Sequence, residues 1–168
     1  MLTAHTAQTS AQAPSTNAAV CILKNRRKER QMKVMLEPGA HKPERAHLED
    51  AGLDFRCIKG GWLWPFGSRT FDTGVHMALP EGTYGKIESK SGLNVKASIV
   101  SCGGTIDEGY TGAICVKLYN LSLRPYRFRD GDKIAQLIIM ECLKPPIEIV
   151  DALEDTARGA GGFGSTGR

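Results

Sequence analysis

No stretch of this chain approaches the roughly 18–20 consecutive apolar residues that a membrane-spanning helix needs, so a soluble protein with no membrane partner is expected. Cysteine is sparse and lacks a pairing pattern. Cys21, Cys57, Cys102, Cys115 and Cys142 are odd in number, no two have C-x-x-C spacing, and His5, His41, His47 and His76 lack zinc-site spacing. That excludes a disulfide scaffold of the secreted kind and predicts buried thiols in a reducing, cytoplasmic compartment. A basic surplus is missing from the body of the chain. The net charge of +4 is carried by residues 1–31, where Lys24, Arg26, Arg27, Lys28 and Arg30 face only Glu29; from Met32 onward 17 basic residues balance 17 acidic ones. A large phosphate-tracking surface, and with it a nucleic-acid partner for the body, is not expected.

The first twenty residues hold no aromatic and no acidic side chain, and such a composition does not offset the entropy of ordering it. Residues 1–31 therefore read as a disordered extension: an appended tail, or the product of a start codon set too early. A faint likeness to an organellar leader is weakened by the absence of Arg or Lys from the first 23 residues. No window of about 11–18 residues carries a helical apolar stripe; only Arg45–Asp50 and the stretch after the second strand block suit a turn or two of helix.

What the chain does have, from Met32 to about Val150, is short strands and frequent turns. Ile114, Val116 and Leu118 alternate with Cys115, Lys117 and Tyr119, the period of a half-buried strand. Ile134–Met140 is a continuous apolar run of strand length, which predicts a strand buried on both faces. Turn signals at Gly60-Gly61, Pro65, Gly67, Pro80-Glu-Gly82, Gly103-Gly104 and Asp130-Gly131-Asp132 punctuate these runs. The pattern predicts an all-β domain over 32–150, a sandwich or barrel of jelly-roll type. Trp62 and Trp64 suit core or barrel-rim packing first, and an exposed contact second. Residues 151–168 differ again: five of the last ten are glycine, which makes a flexible arm.

Three stretches carry chemistry. In the arm, glycine-freed backbone N–H groups, Ser165, Thr166 and Arg158 suit a phosphate cradle, and Phe163 among the glycines suits stacking on a base. The arm is not a P-loop, because Ser165 stands where the lysine belongs and no helix follows. Gly103–Gly112 reads as a hairpin whose Asp107, three residues before Tyr110, is placed to act as a general base. Lys90-Ser91-Gly92 offers a charge, a hydroxyl and an approachable backbone N–H.

Taken in order, Ala51-Gly-Leu-Asp54-Phe, Lys90-Ser-Gly-Leu93, Gly104-Thr-Ile-Asp107-Glu-Gly-Tyr110-Thr-Gly112, Gly131-Asp-Lys-Ile-Ala-Gln136-Leu and Arg158-Gly-Ala-Gly-Gly-Phe163-Gly-Ser-Thr-Gly167 resemble the five motifs of the trimeric dUTPases. The resemblance covers about Met32 to the C-terminus, and its last motif is the most specific. It implies a distorted jelly-roll subunit in a homotrimer with shared active sites, hydrolysing dUTP to dUMP and pyrophosphate and so keeping uracil out of DNA. By the same resemblance, Asp107 activates the water that attacks the α-phosphorus, and Tyr110 excludes a 2′-hydroxyl. The hairpin, through Ser101, Gly104, Thr105, Ile106 and Cys115, reads uracil largely with main-chain groups. Lys90, Ser91, Gly92 and Gln136 hold the phosphates. Mg2+ rides mainly on the triphosphate, with Asp54 helping through water. The arm closes from a neighbouring subunit, with Phe163 over the base and Arg158, Gly164, Ser165 and Thr166 near the phosphates.

Two positions depart from the family pattern: Lys90 replaces an arginine, which keeps the charge and loses the planar fork, and Ser101 replaces an asparagine. Two other readings compete. A dCTP deaminase shares the fold, but its deaminating glutamate would fall at Lys117 and its arginine at Val95. A non-catalytic regulatory protein on the same scaffold would use the N-terminal tail or the Trp62–Trp64 segment.

Overall fold

The computed structural model describes residues 32–102, 104–157 and 159. Among the described residues lie eleven strands and one short helix: β1 (Lys33–Leu36), β2 (Gly52–Arg56), β3 (Gly61–Leu63), β4 (Ser68–Asp72), β5 (Val75–Ala78), β6 (Thr83–Ser89), α1 (Ser91–Ala97), β7 (Ile99–Ser101), β8 (Thr105–Ile106), β9 (Cys115–Asn120), β10 (Tyr126–Phe128) and β11 (Lys133–Glu141). They form sheets ordered β2-β11-β6-β8, β4-β9-β7, β1-β5 and β10-β3, with every pairing antiparallel. These small sheets wrap one apolar core as a distorted jelly roll, the all-β class the strand pattern predicts.

Phe55, Phe71, Phe128, Leu63, Ile134 and Leu137 lie at the centre of the core. Phe71 meets Phe128 edge-on, with ring centroids 5.0 Å apart. The β9 alternation holds: Ile114, Val116 and Leu118 are buried while Cys115 and Lys117 face outward. Two buried polar residues are fully bonded and belong to the scaffold. Thr73 donates its hydroxyl to the Ile114 carbonyl and accepts from the Val75 amide. Asn120 donates to the Leu63 and Arg124 carbonyls and accepts from the Ser122 amide, so it shapes the β9–β10 turn.

The structure corrects several expectations. β11 is central, between β2 and β6, yet only its first half is buried; Met140 and Glu141 are exposed. Its run is apolar for a different reason at each end, because Ile134 and Ala135 are consecutive core residues at a bulge in the β2 pairing. Only Cys57 of the described cysteines is buried; Cys102 and Cys115 are exposed and Cys142 is half-buried, all as free thiols. Trp62 and Trp64 are exposed and stack on each other at 5.7 Å instead of filling the core. Arg45–Asp50 forms a turn, closed where the His47 amide donates to the Asp50 carboxylate. Helix appears instead at α1, which buries no residue and ends at Ser98 in the left-handed region. Among the described residues, no helix is long and apolar enough to cross a membrane.

Candidate active site

Asp107 sits at the first corner of the turn that follows β8, and the Tyr110 amide donates back to its carbonyl at 3.0 Å. That bond sets the aspartate and the tyrosine at the two ends of one tight turn. The Tyr110 hydroxyl donates to the Ala113 carbonyl at 2.9 Å, folding the ring down over the return limb. Gly112 lies beneath that ring; a Cβ there would stand 2.5 Å from the Tyr110 hydroxyl, so a side chain at this position would displace the ring. A cavity of about 270 Å³ opens here, lined by Thr105, Ile106, Asp107, Tyr110, Ala113, Ile114 and Cys115. Partial desolvation by the surrounding chain first, and then the Asp72 and Glu37 carboxylates, push the Cys115 thiol up.

The hairpin is anchored on three sides. The Ile87 amide donates to the Gly104 carbonyl at 2.9 Å. Glu108 accepts from the Gly82 amide and pairs with Lys144, at the root of the C-terminal segment. Thr111 gives its carbonyl to His76.

A second cluster forms where β11 lies between β2 and β6. Asp54 on β2 faces Gln136 on β11, which faces Glu88 on β6. Lys90, just past β6, bonds one oxygen of the Asp54 carboxylate, and Lys133, at the start of β11, holds the other at 2.6 Å. Burial pushes the Asp54 carboxyl up, but the hydrogen bonds and charges of the two lysines outweigh it, and its pKa lies below the ordinary value. Gln136 donates to the Ser89 carbonyl at 3.4 Å. Ser91 and Gly92 follow Lys90 at the start of α1, both exposed, and nothing lies within 4 Å of where a Gly92 side chain would begin.

The two clusters are joined through Ser89 and Ser101. The Ser101 amide donates to the Ser89 hydroxyl at 2.9 Å, and the two hydroxyls lie 3.1 Å apart. The structure thus gathers Asp54, Lys90, Ser91, Gly92 and Gln136 at one place, and Gly104, Thr105, Ile106, Asp107, Tyr110 and Cys115 at another, with Ser101 between. Arg158, Phe163, Gly164, Ser165 and Thr166 lie outside the described residues. Sequence reading passed over Lys133, although it stands inside the fourth motif, and it missed the anchors His76, Glu108 and Lys144. The positions that test the deaminase reading carry no acid: Lys117 lies over the Tyr119 ring at 5.3 Å, and Val95 points to solvent.

A sequence model of the dUTPases matches residues 39–167. The chain belongs to the dUTPase family. It is 41% identical over 132 residues to the deoxyuridine 5′-triphosphate nucleotidohydrolase of Paramecium bursaria Chlorella virus 1, covering 79% of this chain and 94% of that protein. Among solved structures it resembles the Staphylococcus bacteriophage 80alpha dUTPase with dUPNHPP, at a TM-score of 0.76 and 30% identity, over 82% of this chain and 99% of that one. It also resembles a mutant dUTPase of the S. aureus phage phi11, described as revealing the coordination of a structural Mg(II) ion, at a TM-score of 0.69 and 28% identity, over 74% of this chain and 99% of that one.

Proposed function

We propose that this chain is a dUTP diphosphatase that hydrolyses dUTP to dUMP and pyrophosphate, working as a homotrimer with Mg2+. The Asp107–Tyr110 turn carries the proposal. It joins a carboxylate that no cation engages among the described residues to an aromatic ring fixed over a cavity of base-sized dimensions. Asp107 takes the proton of the attacking water, which makes it a nucleophile toward the α-phosphorus. The Tyr110 ring, locked by Ala113 and by the absence of a side chain at Gly112, takes the space that a ribose 2′-hydroxyl would need. Main-chain groups of the hairpin satisfy the polar edge of uracil; cytosine would leave them unpaired, at a cost of about 1–3 kcal/mol for each such group.

Lys90, Ser91, Gly92 and Gln136 orient the phosphate chain, and the glycine-rich arm, through Arg158, Phe163, Gly164, Ser165 and Thr166, closes over it from a neighbouring subunit. The residues fit Mg2+ carried by the substrate. No group of three His, Cys, Asp or Glu side chains able to hold a metal exists among the described residues. Asp54 keeps spare lone pairs beyond those given to its two lysines, enough to accept a water of the ion. When bound, Mg2+ neutralises charge on the phosphates. We assign residues 32–150 to the jelly-roll domain and 151–168 to the arm, in a cytoplasmic, reducing setting.

The test is Asp107→Asn. Turnover of dUTP is expected to fall by about 10²- to 10⁴-fold, while a non-hydrolysable dUTP analogue binds as before. Activity that survives the change contradicts the assignment of the base.

A further inference from the structure

His76 lies on β5 outside every motif of the family, and its surroundings give its ring a definite protonation state. The Nδ1 atom is 2.8 Å from the Thr111 carbonyl oxygen, and the Nε2 atom is 2.9 Å from Glu37 Oε1. A carbonyl can only accept, and so can an ionised carboxylate. Each ring nitrogen therefore needs its own proton, and only the charged imidazolium has two. A neutral ring keeps one of these bonds and turns a lone pair toward the other oxygen.

The bond to Thr111 matters because of where it falls. Thr111 follows Tyr110 directly, inside the hairpin that carries Asp107. Its carbonyl is thereby tied to β5 and, through Glu37, to the loop after β1, where the Glu37 amide donates to the Gly74 carbonyl. The other titratable groups on this side are Asp72 at the end of β4, whose carboxylate accepts from the Gly74 amide, and the neutral Cys115 thiol beside it on β9. Both carboxylates favour the charged ring.

We propose that His76 is a positioning residue for the Asp107–Tyr110 turn, holding the return limb of the hairpin as an imidazolium and loosening it when the ring loses a proton. This rests on the dUTP hydrolysis proposed above. The hydrogen bond of Glu37 first, then that of Thr111, raises the His76 pKa above its ordinary value. The anchor is thus complete below the free-histidine value of about 6.5 and is lost as pH rises through the raised folded value.

The experiment combines imidazole nitrogen NMR, amide exchange and kinetics on the full chain, with His76→Gln and Glu37→Gln beside the wild type. Of the four histidines, the one missing from the His76→Gln spectrum identifies the signal. Below pH 6.5 both of its nitrogens are expected to be protonated, and its midpoint is expected to fall in Glu37→Gln. The protection factors of the Tyr110 and Ile114 amides should drop as the ring deprotonates. Catalytic efficiency toward dUTP should decline by about five- to tenfold over the same range. In His76→Gln that decline disappears and efficiency stays at the lower level. A neutral tautomer at pH 6, or protection factors indifferent to the titration, overturns the proposal. If the protein turns over no dUTP, the exchange measurement still decides the role of His76, and only the hydrolase reading fails.

Discussion

Asp54 is the residue whose surroundings constrain the site most tightly. Its side chain is 8% exposed, and each oxygen is taken by a lysine from a different strand end. Such a group is worth more than a surface pair and less than a fully desolvated one, because both lysines keep contact with water. Lys133→Met is expected to lower stability by about 1–3 kcal/mol, measured by urea denaturation. The sign of the pH effect follows from the depressed carboxyl: its contribution is present above the ordinary value of 3.8 and is lost as pH falls through the folded value. With one lysine gone the folded value rises, so the acid unfolding midpoint of Lys133→Met should move to higher pH. An unchanged midpoint would mean that Lys133 contributes little to the cluster.

Asp107 and Tyr110 were legible in the sequence because they sit three residues apart in one turn, where local geometry alone sets their relation. Lys133 was not. Its approach to Asp54 depends on the bulge between Lys133 and Ala135 in the β2–β11 pairing, which re-aims the side chain. Apolar periodicity carries no mark of such a bulge. His76 was missed for a similar reason: its partner Thr111 lies 35 residues away, and only the folded hairpin brings them together.

At the scale of elements, the hairpin is held by contacts to β6, to the Gly82 turn, to Lys144 and to His76, which fix how Asp107 and Tyr110 stand to each other. Gly112→Ala tests how far the shape depends on packing beneath Tyr110. The new methyl would meet the ring at 2.5–3.0 Å, and the tyrosine must move. Efficiency toward dUTP is expected to fall about tenfold or more, with discrimination against UTP falling alongside it, as steady-state kinetics on both nucleotides would show. A variant that keeps full discrimination would remove Tyr110 from the sugar-reading role.

The helix α1 shows what the sequence did not reveal at this scale. Its apolar face is only Leu93 and Ala97, half-buried against the core and too short a stripe to read from the sequence; the Ser98 amide, reaching the Asn94 and Leu93 carbonyls, and Lys96 in the last turn close its end. The strands were easier to read, because β9 and the first half of β11 bury their apolar positions in one shared core.

For the whole molecule, a single chain leaves apolar surface that water does not favour. Ile147 and Ile149 are 93% and 95% exposed on an extended segment after Pro145-Pro146, and Met35 on β1 is also exposed. Burying each such side chain is worth about 1.5–3 kcal/mol, enough to favour packing against another subunit. Light scattering is expected to give three times the 18.2 kDa chain mass. Dilution below the assembly threshold should lower activity per chain, since the arm is proposed to serve a neighbour's site. A monomer of full activity would contradict shared sites.

The central claim, hydrolysis of dUTP chosen over its relatives, is met most directly by offering the purified chain dUTP, dCTP, dTTP and UTP separately with Mg2+ and identifying the products. Pyrophosphate and dUMP from dUTP, far faster than release from the other three and with no deaminated product from dCTP, is the predicted result. Equal release from all four, deamination of dCTP, or no release from dUTP would contradict it.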